Sequence, residues 1–312
     1  MSEFDLISRY FATKFPQRPD VDLSIGDDAA ICTIPPNMQL VTAIDTLVAD
    51  VHFPLLTTKP EDVGYKALAV NLSDMAAMGA TPVWMTLALT CPEFNEIWLQ
   101  RFSDGLLELA QLNQVSLIGG DTTRGPLTIT IQITGLVPLN TALKRNGAKP
   151  GDSIYVTGTL GDAGLGLQVA KQQIILSESV KKYTLSRLNR PTPRLQIGQK
   201  LLKIATSAID ISDGLVADLG HILNASNVGA SLQIDNLPLS DELLESVPYE
   251  TAIKLALSAG DDYELCFTIP KSEILPVNSC TYIGKIEANL GLRCLTKTGN
   301  IFIPKTSGYQ HF

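Results

Sequence analysis

Histidine and cysteine are scarce in this chain, which has three histidines and five cysteines among 312 residues. None of the cysteines forms a C-x-x-C pair, and they are widely spaced: Cys32, Cys91, Cys266, Cys280 and Cys294. An odd number of scattered cysteines is typical of reduced, mostly buried thiols. The pattern therefore argues against a zinc site and against a disulfide framework.

The chain also lacks clusters of basic residues and long apolar runs. Its formal charge is −8, whereas nucleic acids and anionic membranes bind dense clusters of lysine and arginine. No run reaches the roughly 18 apolar residues of a membrane-spanning helix, and Glu3 and Asp5 are acidic where a secretory signal is basic. We therefore expect a cytoplasmic protein that binds neither nucleic acid nor membrane.

Familiar catalytic motifs are missing as well. The sequence contains no Walker motif, no H-R-D or D-F-G kinase motif, and no recognisable serine or cysteine nucleophile motif. The glycine-rich segment 158–166 lacks G-x-G-x-x-G spacing, which favours a plain turn over a dinucleotide site. His221 is more typical of a packed helix residue, whereas His52 is a candidate substrate contact or general base.

The chain length and the pattern of apolar residues predict two α/β domains. A chain of 312 residues is at the upper limit for one core, and 45% hydrophobic with 18% charged residues is typical of a globular enzyme. Short apolar runs alternate with helical periodicity, which indicates mixed sheets covered by helices. The turn-rich segment 138–152 marks the boundary between a domain of residues 1–140 and one of residues 141–312. The mean hydropathy of +0.15 also favours a hydrophobic subunit interface.

Periodicity places the secondary structure within these domains. In the first domain we predict helices at 3–15, 61–78 and 95–111 and strands at 40–44, 83–89, 115–118 and 127–137. In the second we predict strands at 153–157, 207–211, 232–234, 265–269 and 282–286 and helices at 165–172, 193–204 and 215–226.

What the chain does contain is a set of aspartates beside glycines, serines or short apolar runs. Seven stand out: Asp27, Asp28, Asp45, Asp74, Asp121, Asp210 and Asp213. Ends of strands and starts of helices allow the backbone to aim such side chains at one ligand, and hard divalent cations prefer carboxylate oxygens. The pattern predicts a site that holds several Mg²⁺ ions.

Asp27, Asp28 and Asp74 have alternative explanations, whereas Asp45 favours function over a surface charge. Asp27 and Asp28 follow Gly26 on a tight turn, which is also typical of a solvated loop. Asp45 lies in an apolar run that we expect to be buried, where a lone carboxylate is costly unless it is paired or binds metal. Asp74 interrupts an apolar helical pattern, and its alternative role is a helix cap.

Two further segments combine acids with glycine or serine. Gly119, Gly120 and Asp121 follow a predicted strand, so backbone amides are expected to hold phosphate while Asp121 holds a cation; an ordinary glycine turn is the alternative. Asp210 and Ser212 share one face of a strand that leads into a helix. Capping of that helix by Ser212 or Asp213 explains one of these residues but not Asp210.

Taken together, these motifs resemble the thiamine-monophosphate kinase family. The resemblance covers nearly the whole chain and is carried, in order, by the segments 25–30, 45–48, 71–80, 119–122, 149–152, 210–215 and 262–265. It implies the two-domain aminoimidazole ribonucleotide synthetase-like fold, with mixed α/β sheets and an N-terminal sheet that pairs into a barrel in a homodimer. It also implies ATP-dependent phosphorylation of thiamine phosphate to thiamine diphosphate, assisted by several Mg²⁺ ions.

The resemblance further implies roles for individual residues. The implied metal ligands are Asp28, Asp45, Asp74, Asp121, Asp210 and Asp213, of which the last four are the catalytic candidates. The implied ATP contacts are Gly120, Asp121, Arg145 and Ser212, and the implied substrate contacts are His52, Asp261 and Tyr309. Three positions depart from the family pattern, because Ala43 and Ile44 replace common hydroxyl ligands and Asp261 replaces a common glutamate.

Two other functions are compatible with the residues. The first is an ATP-dependent synthetase of the same superfamily, which activates an amide oxygen or makes selenophosphate. The second is a regulator that binds metal and nucleotide without turnover. Selenophosphate chemistry needs a reactive cysteine near the N-terminus, whereas the first cysteine here is Cys32.

Overall fold

The backbone separates into two units in a computed structural model that describes residues 8–12, 14–275, 279–303 and 308–309. One unit comprises Met1–Met75 and Ala80–Asn140, and the other comprises Ala76–Gly79 and Thr141–Phe312. We call them the N-terminal and C-terminal units. No helix in the described ranges has the length and apolar character needed to cross a membrane.

A four-stranded mixed sheet and two long helices form most of the N-terminal unit. The strands are β1 (Val21–Leu23), β2 (Ile31–Cys32), β3 (Met38–Val48), β4 (Thr81–Cys91), β5 (Ser116–Arg124) and β6 (Thr128–Pro138), and the helices are α1 (Pro60–Ala77) and α2 (Glu96–Asn113). The sheet has the order β3-β6-β4-β5, and β1 pairs separately with β2. Only β4 and β5 run parallel within the four-stranded sheet; its other pairs are antiparallel.

The strand β3 corrects one expectation. We expected the run around Asp45 to be buried, but β3 lies at an edge of the sheet and its side chains alternate between partly buried and exposed. Ile44 is 64% exposed and Leu40 is 48% exposed, while Asp45 itself is half-buried. Apolar residues therefore occur on both faces of β3, although only one face is covered.

The two helices of this unit approach each other closely at glycine residues. A methyl group on Gly64 of α1 would overlap the carbonyl oxygen of Phe102, and one on Gly105 of α2 would overlap that of Glu61. Asn95 caps α2, because its side chain accepts a hydrogen bond from the amide of Trp98. The predicted helices 61–78 and 95–111 are confirmed to within two residues at each end.

A seven-stranded mixed sheet is the centre of the C-terminal unit. Its strands are β7 (Ser153–Thr157), β8 (Ser207–Asp210), β9 (Gly229–Gln233), β10 (Leu265–Ile269), β11 (Cys280–Glu287), β12 (Gly291–Leu295) and β13 (Ile301–Phe302), in the order β13-β12-β9-β11-β7-β10-β8. The helices are α3 (Asp162–Ala170), α4 (Glu178–Asn189), α5 (Leu195–Leu201), α6 (Leu215–Ser226), α7 (Asp241–Ser246) and α8 (Tyr249–Ser258). Both faces of β10, which lies between β7 and β8 in the sheet, are buried, as its apolar sequence predicts.

Several predictions in this unit are confirmed and others are wrong. The bounds of β7, β10 and α6 agree with the sequence periodicity. The strand predicted at 232–234 ends at Gln233, because Ile234–Asn236 forms a 3₁₀ helix. In the N-terminal unit, the helix predicted at 3–15 corresponds in the described residues to a π-helical turn, Ser8–Ala12; residues 3–7 and 13 lie outside the description.

Candidate active site

A cavity of about 520 Å³ in the N-terminal unit brings together two of the predicted aspartate motifs. Its polar lining includes Asp27, Asp28 and Asp121, and Phe11 and Leu87 contribute apolar surface. Asp27 accepts a hydrogen bond from the amide of Asp28 at 2.8 Å and thereby stabilises the turn. Both Asp28 and Asp121 are exposed to the cavity's solvent. This wall can bind a cation or, through the cation, an anionic ligand.

The glycines of the second motif occupy a different position from the one expected. Gly119, Gly120 and Asp121 lie inside β5 and do not follow its end, since β5 continues to Arg124. The register between β4 and β5 shifts at Met85/Thr86, opposite this segment. A methyl group on Gly120 would overlap the carbonyl oxygen of Leu87, so only glycine allows this approach. The close packing of two strands, and not a turn, explains the glycine.

The remaining predicted residues of this unit lie on α1, on β3 and just after β3. Asp74 is half-buried within α1, three residues before the helix ends at Ala77, which excludes the alternative of an N-terminal cap. His52 Nδ1 accepts a hydrogen bond from the amide of Val48 at 3.0 Å. In the neutral ring the proton is therefore on Nε2, and this nitrogen acts as a donor.

In the C-terminal unit, the end of β8 and the loop that follows it carry Asp210, Ser212 and Asp213. Asp210 is the last residue of β8 and is buried, whereas Ser212 and Asp213 are half-buried. Capping of α6 by Ser212 or Asp213 was the alternative explanation, but the cap position is occupied by Gly214 and no side chain caps this helix. Within the described part of the chain, the side chains of Ser212 and Asp213 have no hydrogen-bond partner.

The loop is held by a residue that the sequence analysis missed. Asp218 Oδ2 accepts hydrogen bonds from the amides of Ser212, Asp213 and Gly214 at 3.0, 3.0 and 3.1 Å. Burial, together with the negative charges of Asp210 and Asp213, raises the pKa of Asp218 to about 7. Three carboxylates thus crowd one loop, and their mutual repulsion is the kind that a divalent cation relieves.

A second segment lies against this loop and carries the predicted substrate contact Asp261. The amide of Asp261 donates to the Ser212 carbonyl at 2.8 Å, and the amide of Tyr263 donates to the Ile211 carbonyl at 2.8 Å. Both residues have left-handed backbones, with φ of 59° at Asp261 and 49° at Tyr263. This conformation is costly for residues other than glycine, so the surrounding contacts must hold it in place.

Buried charges next to Asp261 provide that support. Glu264 is fully buried and binds Arg194 through two hydrogen bonds of 2.6 Å, and it also accepts one from Arg187 at 2.8 Å. These arginines hold the pKa of Glu264 below its usual value, although burial opposes them. Asp262 is buried with both carboxylate oxygens 3.0 Å from the amide of Gly161, and burial raises its pKa well above the usual value.

Two more predicted residues border the C-terminal loops. Tyr309 donates its amide to the Asp213 carbonyl at 3.0 Å, and its side chain is partly exposed. Arg145 is exposed, and its carbonyl accepts a bond from the Ser226 hydroxyl. Its guanidinium makes no ion pair with any described residue. The C-terminal unit therefore gathers Asp210, Ser212, Asp213, Asp261 and Tyr309 around one loop.

The metal role of the aspartates stays a prediction. Across residues 8–12, 14–275, 279–303 and 308–309, no group of three or more histidine, cysteine, aspartate or glutamate side chains is arranged to hold a metal ion. The donor chemistry nevertheless fits Mg²⁺, because the candidates are carboxylates and one set is electrostatically crowded.

The comparison with protein families defines the class of the fold. Residues 26–137 match the family described as AIR synthase related protein, N-terminal domain, and residues 149–288 match its C-terminal domain. This establishes a two-domain α/β protein of the AIR synthase related class, as the resemblance implied.

Comparison with individual relatives identifies the family within this class. The chain is 48% identical over 319 residues to Thiamine-monophosphate kinase from Escherichia coli (strain K12), which covers 99% of this chain and 98% of the relative. The crystal structure of Thiamine-monophosphate kinase from Stenotrophomonas maltophilia K279a is 44% identical, with a TM-score of 0.83 over 89% of this chain and 92% of that one. The structure of AaThiL complexed with AMPPCP and TMP is 34% identical, with a TM-score of 0.81 over 93% and 92%. The chain belongs to the thiamine-monophosphate kinase family of enzymes.

Proposed function

We propose that this protein transfers the γ-phosphate of ATP to thiamine phosphate and so produces thiamine diphosphate. The observation that carries the proposal is the cavity in which Gly120 and Asp121 of β5 lie together with Asp28. A relative named AaThiL, similar over 93% of this chain, binds AMPPCP and TMP, which we read as an ATP analogue and the phosphate acceptor. Both ligands carry phosphate groups, so we propose that a cation held by these carboxylates binds them.

The chain's residues divide into three proposed roles. The proposed Mg²⁺ ligands are Asp28, Asp45, Asp74, Asp121, Asp210 and Asp213. The proposed ATP contacts are Gly120, Asp121, Arg145 and Ser212. The proposed contacts to thiamine phosphate are His52, Asp261 and Tyr309. Within the described residues, the guanidinium of Arg145 makes no ion pair and the side chains of Ser212 and Asp213 make no hydrogen bond and do not cap α6, which supports these roles.

The proposed acceptor explains why no general base is needed. A phosphate monoester has a second pKa of about 6, so it is mostly a dianion at neutral pH and attacks phosphorus directly. The main barrier is repulsion, since two unit charges about 4 Å apart cost on the order of 4 kcal/mol at an effective dielectric of about 20. Bound Mg²⁺ supplies the compensating positive charge. Arg145 adds a planar donor fork for phosphate oxygens, and His52 Nε2 adds a neutral donor.

Departures from the family pattern modify this scheme at three positions. Ala43 and Ile44 offer only backbone carbonyls where a hydroxyl is common, and both lie on the edge strand β3. We propose that fewer protein ligands hold the metal on this side and that water replaces them. Asp261 has a shorter side chain than glutamate, so we propose a water-mediated contact from it to the substrate.

We also propose a homodimer in which the N-terminal sheets pair into a barrel. In that assembly, residues 1–140 form the ATP-binding, metal-binding and dimerisation domain, and residues 141–312 complete the active site. The exposed apolar side chains Leu40 and Ile44 on β3 support this, since an uncovered apolar edge strand needs a partner. Sedimentation equilibrium is expected to give twice the chain mass, and Ile44→Lys is expected to shift it toward monomer. A monomeric parent protein would contradict the dimer.

Product analysis tests the reaction itself. The purified protein is incubated with ATP, Mg²⁺ and thiamine phosphate, and ADP and thiamine diphosphate are separated by chromatography. Equal amounts of both products are expected, with none when Mg²⁺ is chelated or thiamine phosphate is omitted. Free phosphate without thiamine diphosphate would favour a synthetase of the superfamily. ATP binding without any product would favour a regulator.

A further inference from the structure

Asp218 makes an unusual contact for a helical residue. It lies in the first turn of α6, yet its carboxylate turns back to the loop that precedes the helix. One oxygen, Oδ2, accepts three amide hydrogen bonds, from Ser212, Asp213 and Gly214, all within 3.1 Å. An ionised oxygen makes stronger hydrogen bonds to amides than a neutral one does. Asp218 therefore fixes the backbone of three consecutive loop residues.

Because of this contact, Ser212 and Asp213 are not required to cap α6. Serine and aspartate before a helix ordinarily turn toward its amides and cap it. Here α6 has no side-chain cap, and the side chains of Ser212 and Asp213 have no hydrogen-bond partner among the described residues. Asp218 already fixes the backbone of the loop, so the side chains of Ser212 and Asp213 are not needed to stabilise it. Their side chains remain available for a ligand.

Asp218 itself is not placed to touch a ligand. Only 3% of its surface is exposed, and the oxygen Oδ2 is already shared by three amides. Its effect on any bound group must therefore pass through the backbone that it holds. Asp213 differs from Asp218, because it is half-buried and its side chain has no hydrogen-bond partner among the described residues.

We propose that Asp218 is a positioning residue of the nucleotide and Mg²⁺ site. It orders the backbone of Ser212–Gly214 and so keeps the Ser212 hydroxyl and the Asp213 carboxylate in place to bind, instead of capping α6. This inference rests on the proposed function for the identity of the ligands. The ordering of the loop itself is independent of that function.

Two substitutions separate geometry from charge. Asp218→Ala removes the acceptor and leaves three amides unpaired, whereas Asp218→Asn keeps an acceptor oxygen of nearly the same shape. Asn95→Ala is the matched control, because it removes a helix cap in the N-terminal unit, far in sequence from this loop. The readouts are hydrogen exchange of the amides of residues 212–214 and calorimetric binding of Mg²⁺ with the non-hydrolysable analogue AMPPCP.

For Asp218→Ala we expect faster exchange at residues 212–214 and a rise in the Kd for Mg²⁺–AMPPCP of at least about tenfold, the usual effect of losing a residue that orients a metal ligand. Asp218→Asn is expected to restore the Kd to within about threefold of the parent. Asn95→Ala is expected to lower the melting temperature without changing either readout. If Asp218→Ala binds like the parent, or Asn95→Ala weakens binding equally, the proposal is wrong.

The role of Asp218 can still be tested if the alanine variant does not fold or if the parent protein has no kinase activity. If Asp218→Ala does not fold, Asp218→Glu replaces it, because an added methylene moves the carboxylate out of register with the three amides; parental exchange rates and affinity for the Glu variant would overturn the proposal. If the parent protein binds Mg²⁺–AMPPCP but makes no thiamine diphosphate, the proposed function fails. The exchange and affinity measurements still decide the role of Asp218 in that case.

Discussion

Arg194 and Glu264 form a two-point ion pair in which Nε lies 2.6 Å from Oε2 and Nη2 lies 2.6 Å from Oε1. Glu264 is fully buried and also binds Arg187 and the hydroxyl of Thr157. The pair lies at the end of the segment that carries Asp261. A buried pair of this kind is sensitive to the loss of one partner, because the other charge then stays buried without compensation.

The substitution Glu264→Gln is therefore expected to destabilise the C-terminal unit by about 3 to 5 kcal/mol. Chemical denaturation, followed by the far-ultraviolet circular dichroism of the backbone, measures the change in the free energy of unfolding. Glu250→Gln is the matched control, since Glu250 pairs with Lys254 on the surface and its side chain is 70% exposed. Equal stability of the two variants would contradict the structural role of Glu264.

The pH dependence of the same pair has a defined sign. The pKa of Glu264 is lowered from 4.5 in the folded protein, so its stabilisation is present above about pH 4.5 and is lost as the pH falls through the folded pKa. The stability difference between the parent and Glu264→Gln is expected to shrink as the pH is lowered below 4.5. Denaturation curves between neutral and acidic pH test this, and a constant difference would contradict it.

Gly120 is expected to tolerate no side chain. In Gly120→Ala the new methyl group meets the Leu87 carbonyl, so β4 and β5 must separate at the cavity wall; we expect a loss of about 1 to 3 kcal/mol and weaker nucleotide binding. Gly220→Ala is the control, because no atom lies within 4 Å of its added methyl group. That helical change is expected to stabilise the protein by roughly 0.5 to 1 kcal/mol. Thermal melts with and without Mg²⁺–AMPPCP compare the two.

Asp213 and Asp74 are expected to be essential for turnover and dispensable for folding. Asp213→Asn or Asp74→Asn removes one ligand charge and is expected to lower kcat at least about 100-fold, a typical loss for one electrostatic group in an active site. Asp241→Asn, at the exposed start of α7, is the control and should retain full activity. Steady-state assays at limiting Mg²⁺ test the prediction, and parental rates in the Asp213 variant would reject the proposed metal role.

The cysteines are expected to react only after unfolding. All five are free thiols, and Cys266 and Cys294 are buried. Burial raises the pKa of Cys294 to about 11, so little reactive thiolate exists near pH 8. Labelling with a thiol reagent is expected to leave both residues unmodified in the native protein and to modify all five in denaturant. Mass spectrometry of the labelled peptides reads the result, and rapid native labelling of Cys294 would contradict its burial.

Sequence periodicity predicted the elements whose pattern is local and strong. The helix α6 and the strands β7 and β10 have the predicted bounds, because each shows a continuous period bounded by turn residues. The helices α4, α7 and α8 and the short strands β12 and β13 were missed. Strand β12 pairs in parallel with β9, 62 residues earlier in the chain (Gly291 opposite Gly229), and such pairing leaves no local signal.

The family, the two-domain α/β class and the set of aspartates could be predicted from the order of residues, because they depend on short motifs in a fixed sequence along the chain. The contacts that fix the loops carrying these aspartates were visible only in the folded protein. Arg187 and Arg194 reach Glu264 across 77 and 70 positions, and Asp218, rather than Ser212 or Asp213, secures the loop before α6. Contacts between buried charges depend on distances in space, and spacing along the chain does not encode them.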